Sequence, residues 1–123
     1  MLRLVNVQRA SAGCSPLRSN PVLVRVARAH SLDMGQHAYF AHNSQDGRSP
    51  FDRMRAAGYS GGAMGENIAA GQPTAAAVMD AWMHSEGHRA NILNCGFHAI
   101  GIGVATVSGS PYRIYWTQDF GDR

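Results

Sequence analysis

Histidine and glutamate are the residues of this sequence whose placement points to chemistry. The chain has six histidines and only two glutamates, Glu66 and Glu86. Glu66 lies among small residues, and Glu86 has His84 and His88 two positions away on either side. A further candidate, His42, follows two aromatic residues. Imidazole is the commonest protein ligand of zinc, and a carboxylate can bind a metal, orient a histidine or act as a general base.

The spacing of His84 and His88 is similar to that of a zinc-peptidase helix, because residues four apart share one helical face. That motif requires glutamate directly after the first histidine. Here Ser85 occupies the position, Glu86 follows one residue later, and Gly87 weakens the helix. We therefore do not predict a zinc-peptidase helix.

Each candidate also has a structural interpretation. His30 lies on an apolar stripe, where a hydrogen-bonded packing residue is expected, and His37 and His98 fit surface or strand-face positions. Glu66 follows a glycine and could satisfy backbone donors at a turn. Glu86 could be a first-turn carboxylate that interacts with the helix dipole.

Capping signals place the helices that must position these residues. Asn20-Pro21 and Ser49-Pro50 are typical of helix starts, and Gly13 and Gly58 of helix ends. Ser85 favours a short further turn that runs through Leu93. The predicted helices cover residues 2–12, 20–37, 49–58, a segment that starts at 73–74, and 85–93.

The C-terminal third has a period of two, which predicts strands. From Phe97 onward, isoleucine and valine alternate with Gly101 and Gly103, so another element should pack very close to the backbone on the glycine face. Residues 108–111 predict a turn into a second strand over 112–120, and residues 62–70 could supply a third. We expect one domain over residues 1–123, with helices packed on a small antiparallel sheet.

Composition restricts the class of protein. With 123 residues, 45% hydrophobic and 15% charged, the chain has the composition of a globular domain. No apolar run approaches the roughly 20 residues that span a bilayer. Asn6, Gln8 and Arg9 interrupt the start before the apolar core of an export signal could form.

The net charge of +3 comes entirely from arginine, with eight of the eleven arginines in residues 1–61. Such a surplus permits docking to an anionic polymer. The arginines are scattered, however, and no nucleic-acid motif accompanies them. We therefore interpret them as a solvated surface and expect no nucleic-acid partner.

The two cysteines, Cys14 and Cys95, belong to no zinc-binding spacing. They are either two free thiols or one bridge. A bridge would contribute about 4 kcal/mol in the chain-entropy model and would imply an oxidising compartment.

Four segments together resemble one family, in order and over nearly the whole chain. They resemble the bacterial SCP-like extracellular domains of the CAP superfamily, which groups cysteine-rich secretory proteins, antigen 5 and pathogenesis-related proteins. The segments are residues 39–53 (YFAHNSQDGRSPFDR), 65–69 (GENIA), 81–93 (AWMHSEGHRANIL) and 115–121 (YWTQDFG).

The resemblance implies the α+β class, as a three-layer α-β-α sandwich with a small central antiparallel sheet. It implies a secreted or cell-surface protein, which favours the bridge and means that an export signal would have been removed or is not included in this sequence. Members of the family carry a cleft with two histidines and acidic residues, and the histidines can bind a divalent metal such as zinc. By motif, the metal ligands are His42 and His88, and the firmest acid is Glu66. Relatives usually have Asn and Pro in place of His84 and Glu86, so both residues depart from the family pattern. Glu86 could supply the second acid of the cleft from a different sequence position, or it could be a surface change. It is therefore a second catalytic candidate.

These residues support three functional hypotheses. The first is a secreted, monomeric domain that binds a divalent metal, optionally zinc, and an unidentified lipid, peptide or cell-wall ligand without established catalysis. The second is a metal-dependent hydrolase that acts on peptides or cell-wall material through the same cleft. The third is a structural interaction module or a lipid-binding module.

Overall fold

A computed structural model describes all residues, 1–123, and contains five α-helices and four β-strands. The elements in chain order are α1 (Leu2–Ser11), β1 (Arg18–Ser19), α2 (Pro21–Gln36), α3 (Pro50–Ala56), β2 (Met64–Ala70), α4 (Ala75–Met83), α5 (Glu86–Ile92), β3 (Ala99–Thr106) and β4 (Ile114–Gly121). No segment among these helices combines the length and apolar character that crossing a bilayer requires.

The helix starts follow the capping signals. The Asn20 side chain accepts hydrogen bonds from the first turn of α2, and Ser49 and Asp52 form a capping box at α3. Thr74 caps α4 through the backbone N–H of Ala77. These caps satisfy N–H groups that have no partner inside the helix, so the predicted helix boundaries are confirmed within a few residues.

The strands form one sheet in the order β1-β3-β4-β2. Strand β4 pairs antiparallel with β2 and β3, but β1 pairs parallel with β3, so the predicted fully antiparallel sheet is corrected at one edge. Strand β1 has only two residues, both exposed, and therefore shows no alternation of buried and exposed side chains. The turn between β3 and β4 is longer than the predicted residues 108–111. Arg113 has a left-handed backbone conformation, with a φ of 68°, and β4 begins only at Ile114.

Helix α2 lies directly on one face of the sheet. A Cβ atom at Gly101 would overlap the backbone of Leu23, and a Cβ atom at Gly103 would overlap the backbone between Ala27 and Arg28. The predicted close approach on the glycine face is therefore confirmed. Helix α3 packs beside α2, where Met54 joins a small core on that side of the sheet.

The larger core lies on the opposite face, beneath α1, α4 and α5. Its buried residues come from these helices, from the strands and from two connecting segments that carry Leu17 and Phe97: Val5, Leu17, Ala69, Val78, Met79, Trp82, Ile92, Phe97, Ile100, Trp116 and Phe120. Helices therefore cover both faces of the sheet, and the predicted α-β-α sandwich is confirmed. Cys14 and Cys95 form a disulfide across a separation of 81 residues, which resolves the alternative of two free thiols.

Candidate functional site

Glu66 lies on β2, the edge strand of the sheet, and its side chain is 1% exposed. One carboxylate oxygen, Oε1, is 2.9 Å from His42 Nδ1, and the other, Oε2, accepts a hydrogen bond from Arg53 Nη2 at 2.9 Å. His30 Nε2 lies 4.0 Å from Oε1. A buried carboxylate is stable only when paired and hydrogen-bonded, and Arg53 and His42 provide both conditions.

Arg53 also fixes the loop that carries His42. Its Nη1 donates to the His42 carbonyl oxygen at 2.7 Å and to the Ser44 hydroxyl at 2.9 Å. His30, buried on α2 as the sequence predicts, contacts the Ala41 carbonyl oxygen through Nε2 at 2.8 Å. The loop between α2 and α3 is thus tied to both helices immediately beside His42.

The His42 ring has a defined orientation. A carboxylate is an acceptor only, so Nδ1 must donate its proton to Glu66. The other nitrogen, Nε2, then carries a lone pair, and half of the side chain is exposed to solvent. A carboxylate that holds one imidazole nitrogen while the other is free is the arrangement that orients metal-binding histidines.

His88 approaches the same region from α5. Its Nδ1 lies 2.9 Å from Ser85 Oγ, and its carbonyl oxygen accepts a hydrogen bond from Asn67 Nδ2 at 3.0 Å. Partial burial lowers the pKa of His88, and a proton on the neighbouring His42 ring would lower it further. When Nδ1 donates to Ser85, the neutral ring of His88 presents Nε2 as a ligand atom.

The two histidines and Glu66 meet at one hollow of about 250 Å³ that lies over the edge strand. Its lining residues are His42, Glu66, Asn67, Ser85, Gly87, His88 and Asn91. No set of three or more His, Cys, Asp or Glu side chains is positioned to hold a metal ion. The imidazole rings of His42 and His88 are the groups of this hollow that resemble common metal ligands.

Asp119 lies directly opposite Glu66 in the pairing of β2 with β4 and is completely buried. Neither of its oxygens receives a hydrogen bond from a donor group of the chain. Burial raises the pKa of Asp119 well above its ordinary value, and the charge of Glu66 raises it further. A buried carboxyl with no donor is stable when neutral, so these surroundings favour the protonated form of Asp119.

The Glu66 carboxylate stays ionised in these surroundings. Burial alone would raise the pKa of Glu66, but the hydrogen bond from His42, the adjacent Asp119 carboxyl and the electrostatic effects of His30 and Arg53 together hold it below the ordinary value. Two adjacent carboxyl groups therefore share one negative charge, which is located on Glu66.

Glu86 and His84 lie outside the hollow. Glu86 is exposed in the first turn of α5, the position expected for a carboxylate that interacts with the helix dipole. His84 follows α4 with its side chain 78% exposed, and its Nδ1 contacts the Asp80 carbonyl oxygen at 2.7 Å. The structure thus brings His42, His88 and Glu66 together, and it does not bring Glu86 to them.

Arg53 and Asp119 were not predicted from the sequence as parts of the site. A signal for Asp119 was present, since Thr117, Gln118 and Asp119 are three consecutive polar residues in a strand that is otherwise apolar and buried. Consecutive polar residues point to both faces of a strand, so their burial requires polar partners on each side. Arg53 gave no comparable signal, because a helical arginine is ordinarily exposed.

Known proteins resemble this chain in sequence and fold. The model of the CAP: Cysteine-rich secretory protein family matches residues 2–120. The uncharacterized protein YkwD of Bacillus subtilis (strain 168) is 47% identical over 120 residues, which are 98% of this chain and 45% of YkwD. The uncharacterized membrane protein YlbC of the same strain is 35% identical over 98% of this chain and 33% of its own length. The chain thus spans less than half of these curated relatives.

Solved structures agree with the sequence comparisons. An extracellular SCP-domain protein of Bacillus anthracis superposes with a TM-score of 0.87 at 32% identity, over 99% of this chain and 39% of that protein. An outer surface protein of Borrelia burgdorferi has a TM-score of 0.90 at 20% identity, over 99% and 89% of the two chains, which supports the fold alone. With a family match over nearly its full length, the chain belongs to the CAP, or cysteine-rich secretory protein, family.

Proposed function

We propose that this chain is an extracellular CAP domain that binds a divalent cation, zinc, between His42 and His88, and holds a ligand in the same hollow. The contact that carries the proposal is the 2.9 Å hydrogen bond between His42 Nδ1 and Glu66, which leaves Nε2 as the ring nitrogen free to bind a metal. Neutral imidazole nitrogens are the preferred ligands of zinc among the groups that line the hollow.

Glu66 fits the role of an orienting group better than that of a general base. A general base works best when its pKa lies near the operating pH, whereas the surroundings of Glu66 hold its pKa below the ordinary value of a glutamate. Both of its oxygens already have partners on the protein. Binding without turnover is therefore favoured over hydrolysis, although a zinc ion in such a site can activate a bound water.

An extracellular location agrees with the disulfide between Cys14 and Cys95, since such bonds persist in oxidising compartments. The Bacillus anthracis relative is described as an extracellular protein, and the Borrelia burgdorferi neighbour as an outer surface protein. Fractionation of the native host, with detection of this chain in medium, envelope and cytosol, tests the location. Detection in the cytosol alone would contradict it.

Zinc titration of the tag-free protein by calorimetry tests the metal site. We expect one bound ion, loss of binding in His42→Ala and in His88→Ala, and a loss of roughly 10- to 100-fold in affinity in Glu66→Gln. His84→Ala is the matched control, because His84 is exposed near the same helix but lies outside the hollow. Equal losses in His84→Ala and His88→Ala, or no binding by the parent protein, would overturn the metal site.

A hydrolysis screen on peptide and cell-wall substrates separates binding from catalysis. The predicted catalytic role of Glu86 is tested there with Glu86→Gln alongside Glu66→Gln. Turnover that is lost in both His42→Ala and Glu66→Gln would establish the hydrolase instead of the binding protein. Turnover that requires Glu86 would show that this exposed residue acts on a substrate.

A further inference from the structure

We propose that the hollow is one end of a longer groove that binds an uncharged oligosaccharide, with Phe51 as a stacking platform for a sugar ring. This inference rests on the proposed function only in that the hollow is taken as a ligand site. It does not depend on the metal.

The groove continues beyond the hollow along the same face of the protein. A second compartment of about 390 Å³ adjoins the hollow and shares His42, Glu66 and Asn91 with it. The second compartment extends past Asn43 to Phe51, near the start of α3. Ligand sites of proteins commonly have volumes of about 300–1,000 Å³, so the two compartments together offer room for more than one sugar ring.

The charges of the groove favour an uncharged ligand. Although the chain has eleven arginines, none of them lines either compartment. The one carboxylate in the lining, Glu66, is already paired with Arg53 behind it. A polyanion would therefore lose its hydration without gaining a cationic partner from the protein.

Neutral amide groups supply the hydrogen-bonding capacity instead. The Asn91 Nδ2 atom donates to the Glu66 carbonyl oxygen at 3.2 Å and to Asn67 Oδ1 at 2.9 Å, so its Oδ1 remains as an acceptor. Gly65 keeps this acceptor clear, because a Cβ atom there would come within 3.0 Å of Asn91 Oδ1. Asn43 adds an exposed amide with both donors and an acceptor. Sugar hydroxyls require both kinds of partner.

Phe51 provides the apolar surface that a sugar ring needs. The C–H face of a pyranose packs on an aromatic ring, while its hydroxyls bind polar groups at the edge. Phe51 is 40% exposed and lines the groove. Phe40 is 45% exposed but packs near Tyr112, with ring centroids 6.1 Å apart, and lies outside the groove. Phe40 is therefore a matched control for Phe51.

The edge of the sheet argues against an extended peptide as the ligand. Peptides that bind along an edge strand use its free main-chain groups. On β2, the Glu66 carbonyl oxygen accepts from Asn91 Nδ2, and the Ile68 carbonyl oxygen accepts from Trp82 Nε1 at 3.1 Å. These acceptors are therefore not available to an added strand.

Nuclear magnetic resonance titration with cellotetraose and chitotetraose, both uncharged, tests the inference. The titration is run in EDTA, so that sugar binding and zinc binding are measured independently. We expect shifts at the amides of Asn43, Gly65 and Asn91, and an affinity about tenfold lower in Phe51→Ala. The affinity of Phe40→Ala should stay within about twofold of that of the parent. Phe51→Trp keeps an aromatic ring at this position and should retain binding.

Three results would overturn the inference. The first is that neither uncharged tetrasaccharide binds more tightly than about 10 mM while thermal denaturation shows a folded protein. The second is that Phe51→Ala and Phe40→Ala lose affinity equally. The third is that a heparin tetrasaccharide or tetra-alanine binds more tightly than the uncharged sugars. A protein that fails the zinc titration but binds sugar through Phe51 would contradict the metal site and leave the oligosaccharide groove supported.

Discussion

Arg9 and Arg53 are both buried arginines, but their guanidinium groups meet different partners. Arg9, on α1, is completely buried and donates only to main-chain carbonyl oxygens, those of Ser15, Ile92, Asn94 and Phe97. Arg53, on α3, is 7% exposed and donates to a carboxylate, a hydroxyl and two carbonyl oxygens, those of Glu66, Ser44, His42 and Arg48.

The difference separates a structural region from a candidate functional region. The partners of Arg9 are neutral, and they connect α1 to the segment after α5, where the disulfide also lies. The partners of Arg53 include the carboxylate that orients His42. Burial lowers the pKa of Arg9, as expected for a cation that is solvated by dipoles alone. A buried arginine thus indicates function only when its partner is itself part of a site.

Removal of the disulfide should have the largest effect on stability. Cys14→Ser with Cys95→Ser opens a covalent loop with a separation of 81 residues, and the free energy of unfolding should fall by about 4 kcal/mol. Urea denaturation measures this loss. Zinc affinity of the remaining folded protein should be unchanged, because the bond lies outside the hollow. Reduced zinc affinity would show that the two regions are coupled.

Arg9→Lys should have the next largest effect. The ammonium group of lysine cannot reproduce the planar set of donors, so the buried carbonyl oxygens of Ile92 and Phe97 lose partners. We expect a loss of about 3 kcal/mol by urea denaturation. Arg3→Lys, at an exposed position of the same helix, is the control. A loss below about 1 kcal/mol would mean that water replaces the guanidinium.

Arg53→Lys makes the same substitution in the other region and should reduce both stability and zinc affinity. Lysine keeps the charge beside Glu66 but cannot hold the carboxylate and the His42 loop together. We expect a loss of about 2 kcal/mol in stability and about tenfold in zinc affinity, measured by denaturation and calorimetry. If Arg9→Lys reduced zinc affinity as much in the folded protein, the proposed separation of the two regions would be wrong.

Asp119→Asn should have an effect on stability that depends on pH. Because the folded-state pKa of Asp119 is raised, its protonated form stabilises the fold at low pH, and this contribution is lost as pH rises towards the folded-state pKa. The slope is at most about 1.4 kcal/mol per pH unit. An amide carries no charge at any pH, so in urea denaturation between pH 5 and about 8 the variant should gain stability relative to the parent as pH rises. A difference that stays constant over this range would contradict a protonated Asp119.

Local sequence patterns predicted most of the fold. Asn20-Pro21 and Ser49-Pro50 begin α2 and α3 as expected, and Gly101 and Gly103 indicated that a helix backbone lies against β3. These features are determined by neighbouring residues or by a period along one strand. Strand β1 was missed because two residues contain no period.

The candidate site was predictable only in part. The motifs identified His42, His88 and Glu66, which do line one hollow, and their metal-binding role stays a prediction. The protonation of Asp119 depends on its register opposite Glu66, 53 positions earlier in the chain. Arg53 acquires its role from the same buried carboxylate. Such properties arise from tertiary contacts between distant residues, and no single segment encodes them.

The bond between Cys14 and Cys95 encloses β1, α2, α3, β2, α4 and α5 in a closed covalent ring. A protease that cuts the exposed loop around residues 45–47 would convert this ring into an open chain without releasing a fragment. His42 and His88 would remain covalently joined through the bridge after such a cut. The chain therefore tolerates a single cleavage beside its candidate site without losing the covalent link between the two histidines.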